Sequence, residues 1–217
     1  MFNHFWKNAF KVFSSSALIN SIKNQKINKL KPFESKVSGI ILFIDIQSIE
    51  IDEQNLNSLS LIKIKNAYLD VVFNEIFLRK GNVIDIIGDS VISTWDSGIN
   101  GIKDALHSTQ EIKLKFEDSN GLISSGIEIK PSFAFNFGDF YLAAIGNSKR
   151  LKYTALGSNI NLTSRLSKSN SIYNLETIVS KSFKELADSI SIFRQIDTIY
   201  IKGRKEPEEI YEFLGFK

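Results

Sequence analysis

Residues 39–46 read GIILFIDI, a nearly unbroken apolar run that ends around one acidic side chain. An apolar run of this length, rich in β-branched residues, is typical of a central strand with both faces buried. A charge at the end of such a strand costs free energy unless it is paired or bound to a cation. The stretch therefore predicts a buried strand and makes Asp45 a candidate site residue.

The segments after this strand fit one sheet-forming order. Helical periodicity is found in residues 55–79, 99–116, 158–166 and 181–187. Strands are predicted at residues 83–87, 91–95, 127–135, 140–145, 177–179, 193–201 and 209–214. The order strand, helix, hairpin, helix, strand is the ferredoxin-like split βαβ arrangement. The predicted fold is therefore α+β, a ferredoxin-like βαββαβ domain with extra C-terminal strands and a short N-terminal helix.

The first 35 residues differ in composition from the rest. Residues 1–33 contain six lysines and no acid, and their aromatic residues can share one side of a helix. We expect residues 1–35 to be an amphipathic helix and linker that docks on the body or across a dimer. Weak contact with a membrane surface or a partner is the alternative. Residues 36–217 are expected to form one catalytic domain.

Composition excludes several kinds of chemistry. The chain has no cysteine and only two histidines, His4 and His107, which are far apart in the sequence. Thiolate sites, histidine metal sites and Ser-His-Asp chemistry are therefore not expected. The sequence contains neither an apolar run long enough to span a bilayer nor a signal-peptide pattern, so we expect a cytoplasmic protein. No specific binding of nucleic acid is expected.

A second acidic residue, Asp89, follows Gly88 at the tip of the predicted hairpin 83–95. In a βαββ unit this hairpin is often a neighbour of the first strand, so both carboxylates can meet at one edge of the sheet. Two hard oxygen ligands favour Mg²⁺ or Mn²⁺. Taken singly, Asp45 could instead cap a helix and Asp89 could be an ordinary turn residue.

Asn161 and Arg165 form the second candidate set. Their i, i+4 spacing places them on one face of a predicted helix, and apolar neighbours turn toward the core. An amide beside a guanidinium suits a phosphoryl-transfer site, because arginine donates two hydrogen bonds to phosphate oxygens. The alternative is an exposed polar helix face with no function.

Four stretches together resemble the class III adenylate and guanylate cyclase catalytic domain. They are FIDI around Asp45, IIGDSVIS around Asp89, residues 135–166 (FNFGDFYLAAIGNSKRLKYTALGSNINLTSRL) and YIKGRKEPEEIYEF near the C-terminus. They occur in the family's order across residues 37–214. The resemblance implies an enzyme that cyclises a nucleoside triphosphate and releases pyrophosphate.

The resemblance also implies roles for single residues. Asp45 and Asp89, helped by the carbonyl of Ile46, would hold two divalent metal ions, Mg²⁺ or Mn²⁺. Asn161 would orient the ribose, and Arg165 would stabilise the pentacovalent phosphorus.

By the same resemblance, Lys202 and Arg150 would contact the terminal phosphates. The family builds each site from two protomers, so a homodimer with active sites at the interface is expected.

The base-reading positions depart from the family pattern. Adenylate cyclases carry a lysine where this chain has Asp85, and the second reading position is Thr154. A carboxylate facing adenine N1 would set two acceptors against each other. The chain also resembles the Pycsar pyrimidine cyclases of bacterial antiphage signalling, so UTP or CTP is the expected substrate. A purine cyclase of the same fold is the alternative. Asp85 could also point away from the base, in which case the apolar shape of the pocket would decide the choice of base.

Two further interpretations of the sequence stay open. A diguanylate cyclase is disfavoured because the hairpin tip reads Ile-Gly-Asp-Ser-Val in place of a Gly-Gly-Asp/Glu-Glu-Phe motif. A non-catalytic nucleotide-binding module derived from a cyclase is the other. Since no sensor domain is recognised in the chain, regulation is expected from the N-terminal segment, the dimer interface or an external cue.

Overall fold

The computed structural model describes residues 33–51, 58–117, 127–147 and 149–217. Its strands are β1 (Phe33–Ile51), β2 (Asn82–Ile87), β3 (Ser90–Trp95), β4 (Ile127–Asn147), β5 (Arg150–Leu156), β6 (Thr177–Ser180), β7 (Ser191–Ile199) and β8 (Glu208–Phe216). Its helices are α1 (Ser58–Leu78), α2 (Ile99–Glu117), α3 (Ser158–Tyr173) and α4 (Lys181–Ala187). The sheet order is β2-β3-β1-β4-β6-β8-β7, and β5 pairs with β4.

The strand predicted from GIILFIDI lies in the interior of this sheet. Strand β1 pairs antiparallel with both β3 and β4. Ile40, Leu42 and Ile44 are fully buried in one core cluster with α1 and α2, whereas Ile41 and Phe43 are buried in a second cluster with α3. Alternate side chains thus enter two cores, which explains why the run is apolar throughout. The ferredoxin-like α+β prediction is confirmed.

Two strand predictions were wrong in extent. The segments predicted as 127–135 and 140–145 form the single strand β4, which continues through Pro131. Proline is tolerated there because the pairing with β1 shifts register between Ile46 and Ser48, opposite Pro131 and Lys130. Strand β1 begins at Phe33, so residues 33–35 belong to the sheet and not to a linker.

Strand β5 was not predicted at all. It forms a hairpin with the end of β4, from the pair Asn147 and Arg150 to the pair Tyr141 and Leu156. Helix α3 also runs to Tyr173, beyond the predicted end, and stops where Asn174 adopts a left-handed conformation. Strand β1 extends six and five residues beyond the predicted 39–46, and the remaining predicted elements lie within three residues of their expected bounds.

The amphipathic helix expected near the N-terminus lies in residues 1–32, outside the described residues, and stays a prediction. The predicted domain boundary after residue 35 also stays a prediction, except that β1 already begins at Phe33. Within the described ranges, no helix is both long and apolar enough to cross a membrane.

Candidate functional site

Asp45 and Asp89 lie at the same end of two neighbouring strands. The last β1–β3 pair joins Ile44 to Val91, so Asp45 is one residue past that pair and Asp89 two residues before Val91 in the β2–β3 turn. Gly88 precedes Asp89 with φ of 64°, a left-handed conformation that the tight turn requires and that glycine adopts without strain. The hairpin thus brings the second carboxylate to the end of β1, as the sequence predicted.

The environment of Tyr68 on α1 indicates that the two carboxylates lie close together. Its side chain is fully buried, and its hydroxyl has no hydrogen-bond partner in the described part of the chain. Burial raises the pKa of the Tyr68 phenol, and the negative charges of Asp45 and Asp89 raise it further. Both carboxylates are therefore close enough to act on one buried hydroxyl.

A lysine that the sequence did not single out contacts the turn. Lys65 on α1 donates hydrogen bonds to the Gly88 carbonyl at 2.6 Å and to Asp89 Oδ1 at 3.0 Å. The Lys65 ammonium therefore occupies a position beside Asp89 at which the carboxylate could bind a metal cation. Both side chains of this pair remain largely exposed, so the ammonium can move away without losing a buried partner.

The donor set at this edge fits a hard divalent ion. In the ranges that the structure describes, no group of three or more His, Cys, Asp or Glu side chains could form a complete cage. Mg²⁺ usually takes one or two carboxylates and leaves the remaining positions to water and phosphate oxygens. Pro131, opposite Ile46, has no N–H to donate. The pairing of β1 with β4 is thus irregular at Ile46, whose carbonyl is the third predicted metal ligand.

Asp85 does not stand alone at the predicted base-reading position. Its Oδ2 accepts a hydrogen bond from Thr154 Oγ1 at 2.7 Å and forms an ion pair with Lys152 Nζ at 2.8 Å. Its Oδ1 accepts from the backbone N–H of Ile86 at 2.9 Å. The two reading positions therefore touch, across β2 and β5, and a cation joins them.

Asn161 and Arg165 share an exposed face of α3, as predicted. Ile160, Leu162 and Leu166 are buried beneath them. Neither polar side chain has a partner within the described residues, so both are available to a ligand.

The two predicted phosphate contacts are exposed as well. Lys202 lies in the turn after β7, and Arg150 begins β5. No carboxylate of the described part of the chain pairs with either side chain. Both cations are thus free to bind an anion, although they belong to separate elements.

A buried polar network that sequence reasoning missed fixes the start of α3. Asn136 on β4 is fully buried, and its Nδ2 donates to the carbonyl of Asn159 at 3.2 Å. Its Oδ1 accepts from Ser180 at 2.7 Å and from Ser182 at 2.8 Å. A Cβ at Gly138 would lie 2.4 Å from the Asn159 amide, so only glycine allows this approach. The network ties α3 to β4 and α4.

Within the described residues, no hydrogen bond or ion pair joins Asp45 or Asp89 to Asn161 or Arg165. Tyr68 packs in the cluster that holds α1 and α2, whereas Ile160 and Leu166 of α3 pack in the other cluster. Asp45 lies at the end of β1 and Asp89 in the turn between β2 and β3, whereas Asn161 and Arg165 lie on α3.

No family model matches the chain. Adenylate cyclase 1 of Rhizobium meliloti is 25% identical over 179 residues, which cover 80% of this chain and 27% of that protein. An adenylate cyclase of Anabaena cylindrica is 24% identical over 215 residues, covering 94% of this chain and 42% of that protein. The chain thus spans less than half the length of these two relatives.

Solved structures match more completely. A bacterial light-regulated adenylyl cyclase superposes with a TM-score of 0.79 at 17% identity, covering 99% of this chain and 62% of the other. A guanylyl cyclase gives 0.68 at 21% identity, covering 84% and 94% of the two chains. An adenylyl cyclase from P. aeruginosa gives 0.66 at 19% identity, covering 87% and 98%. The fold is that of a class III nucleotidyl cyclase catalytic domain.

These relatives bear on the expected substrate. The two relatives and three structures named above are described as adenylate or guanylate cyclases. They favour the purine alternative over the predicted UTP or CTP, and they lend no support to cyclic UMP or CMP as the product. A contact with β5 explains why the pyrimidine prediction is weakened. Lys152 forms an ion pair with Asp85, so the carboxylate is not the unpaired acceptor that the prediction assumed.

Proposed function

We propose that this chain is a nucleotidyl cyclase that converts a purine nucleoside triphosphate to its 3′,5′-cyclic nucleotide and pyrophosphate. The 3′-oxygen attacks the α-phosphorus and loses its proton. The bond from that phosphorus to the oxygen bridging the α- and β-phosphates then breaks. The observation that carries the proposal is the convergence of Asp45 and Asp89 at one sheet edge, next to the buried hydroxyl of Tyr68.

Asp45, Asp89 and the Ile46 carbonyl would hold two divalent ions. When bound, such ions lower the pKa of the attacking hydroxyl and neutralise the triphosphate. Tyr68 supports this assignment, because a buried donor without a partner suits a place where carboxylates meet a cation.

Arg165 stabilises the charge that builds on the phosphoryl oxygens in the transition state. Its guanidinium is exposed and unpaired with any described residue, so binding a phosphate does not require breaking an ion pair. Asn161, one turn earlier, orients the ribose. Lys202 holds the terminal phosphates as a point charge, and Arg150 donates two hydrogen bonds to them.

In the described part of the chain no hydrogen bond or ion pair joins the two carboxylates to the Asn161 and Arg165 pair, and this supports a homodimer with active sites at the interface. One protomer would supply Asp45 and Asp89, and its partner would supply the α3 pair. A C2 dimer then contains two equivalent sites. The predicted antiphage role and the cytoplasmic location stay predictions, because the relatives' names concern the reaction alone.

The experiment is a product assay with the full chain. Purified protein is incubated with each of the four triphosphates and Mn²⁺ or Mg²⁺, and products are identified by mass spectrometry. We expect a cyclic purine nucleotide. Asp45→Asn and Arg165→Ala should each lower its formation by about 10³-fold, and Lys103→Met, which changes an exposed lysine on α2, serves as the control.

Mixing the two inactive variants tests the dimer. If each site takes carboxylates from one protomer and arginine from the other, half of the dimers regain one site, which gives about a quarter of wild-type activity. No recovery contradicts the shared site. If wild type gives only cyclic UMP or CMP, the purine assignment is wrong; if it gives no cyclic product at all, the chain is a non-catalytic module.

A further inference from the structure

The connection between β7 and β8, residues 200–207, contains the lysine that the proposed function assigns to the terminal phosphates. The backbone N–H of Arg204 donates to the carbonyl of Ile201 at 2.9 Å, which closes a four-residue turn. Gly203 is the third residue of this turn and has a φ of 89°, as in a type II turn. Lys202 is the second residue, and the turn presents it to solvent.

The first residue of the turn is anchored in the protein core. Ile201 is 6% exposed and belongs to the core cluster that also contains Leu162 and Leu166 of α3. The same helix carries Arg165 on its exposed face. Packing thus fixes one end of the turn relative to the helix of the proposed transition-state arginine.

The last residue of the turn is held by Glu208. Arg204 Nη1 donates to Glu208 Oε2 at 3.2 Å. The other oxygen, Oε1, accepts from the backbone N–H of Lys181 at 3.3 Å. Glu208 is the first residue of β8, and Lys181 is the first residue of α4. One carboxylate therefore connects the turn to the start of β8 and to the start of α4.

The Glu208 carboxylate is the less exposed member of its ion pair. The Glu208 side chain is 12% exposed, whereas that of Arg204 is 38% exposed. Burial raises the pKa of the Glu208 carboxyl, and the Arg204 guanidinium and the Lys181 N–H oppose that rise. Since both carboxylate oxygens bond to the protein itself, loss of Glu208 releases Arg204 and with it one end of the turn.

We propose that Glu208 is a positioning residue for phosphate binding, because by holding Arg204 it fixes the turn that presents Lys202. This assignment rests on the proposed cyclase function, which gives Lys202 its ligand. A loop and its lysine lose conformational freedom when they bind a phosphate, and a turn that is already ordered loses less. Glu208 thus strengthens phosphate binding although its own charge is negative.

The direction of the effect distinguishes positioning from electrostatics alone. If only charge matters, removing a carboxylate near a bound anion strengthens the binding of that anion. If Glu208 positions the turn, removing it weakens the binding. Glu208→Ala removes both the charge and the acceptor of the Arg204 hydrogen bond, whereas Glu208→Gln removes the charge and keeps an acceptor.

Calorimetry of inorganic pyrophosphate binding to the full chain, with Mg²⁺ present, measures this without turnover. Glu208→Ala should weaken the binding about 3- to 10-fold, and Glu208→Gln should bind as tightly as wild type or more tightly. Arg204→Met breaks the same pair from its more exposed side and should weaken the binding by a similar factor. Glu212→Ala removes the carboxylate of the ion pair between Arg194 and Glu212 on β7 and β8, and as the matched control it should have no effect. Glu208→Ala binding that equals or exceeds that of wild type would overturn the proposal.

Lys202→Met tests whether the effect passes through the lysine. In that background Glu208→Ala should change the pyrophosphate affinity by less than about 2-fold, since the turn no longer presents a cation. An equal effect in both backgrounds would also overturn the proposal, because Glu208 would then act through Arg204 alone or through general stability.

Turnover separates this inference from the proposed function. In an active enzyme, Glu208→Ala should raise KM for the triphosphate about 3- to 10-fold and change kcat by less than about 2-fold. If cyclic product forms with an unchanged KM, Glu208 has no positioning role although the chain is a cyclase. If no triphosphate is cyclised, the function fails, and the Lys202-dependent change in pyrophosphate affinity alone decides the role of Glu208.

Discussion

Replacing Lys65 with methionine should increase the affinity of the protein for divalent cations. The Lys65 ammonium lies 3.0 Å from Asp89 Oδ1 and also bonds the Gly88 carbonyl at 2.6 Å. A divalent ion that uses Asp89 must displace this ammonium or share the carboxylate with it. Methionine keeps an unbranched apolar stem of similar length and removes only the charge and its donors.

The size of the effect follows from the exposure of the pair. At 3.0 Å two unit charges attract by about 1.4 kcal/mol in bulk water. Exposed pairs contribute only about 0.2–1 kcal/mol once side-chain entropy and screening are included. Because the two side chains are 42% and 60% exposed, the lower range applies. Relief of the pair should therefore tighten binding by no more than about 1 kcal/mol, or about 5-fold in Kd.

Calorimetry with Mn²⁺ on the full chain at low ionic strength measures this directly, without reference to activity. Lys103→Met is the matched control, since it removes one lysine from an exposed site on α2. The difference between Lys65→Met and wild type should shrink when salt is raised to 0.5 M, because screening weakens exposed pairs. Weaker Mn²⁺ binding by the variant would refute the reasoning, since it would mean that Lys65 holds the turn in its ligating form.

Three further outcomes are expected. Arg165→Ala should lower turnover about 10³-fold and change the free energy of unfolding by less than about 0.5 kcal/mol, as measured by product assay and urea denaturation. Glu75→Ala should cost about 2 kcal/mol in the same denaturation, because this buried carboxylate accepts charge-assisted hydrogen bonds from Arg79, just after α1, and from Lys115 on α2. Asn136→Ala should cost about 2–3 kcal/mol by leaving buried groups unpaired, and a protease-resistance profile identical to wild type around α3 would contradict its proposed positioning role.

Much of the fold could be predicted because its pattern is local. Consecutive apolar residues indicate that both faces of β1 are buried. Gly88-Asp89 between two short apolar runs indicates the hairpin. Strand β5 could also have been predicted, because Leu151, Tyr153 and Ala155 alternate with polar residues, a pattern typical of a strand. Its burial does not follow that alternation, since only Thr154 and Ala155 are buried.

The carboxylates were predictable for a similar reason. An acidic residue at the end of an apolar strand is unusual on its own, and its place in the sheet follows from the fold. Lys65 could not be predicted, because its contact with Asp89 joins residues 24 positions apart through a helix face that shows no distinct pattern. Long exposed side chains leave no periodic signature in the sequence.

Asp85 shows why a position-by-position reading of a site can mislead. Alone, its carboxylate argues against adenine, since two acceptors would face each other. Its hydrogen bond from Thr154 and its ion pair with Lys152 weaken that argument, because one carboxylate oxygen is already engaged and a cation lies beside it. Whether this position donates or accepts depends on the three side chains together. Asp85 and Lys152 lie 67 positions apart in the sequence, so their contact becomes evident only in the fold.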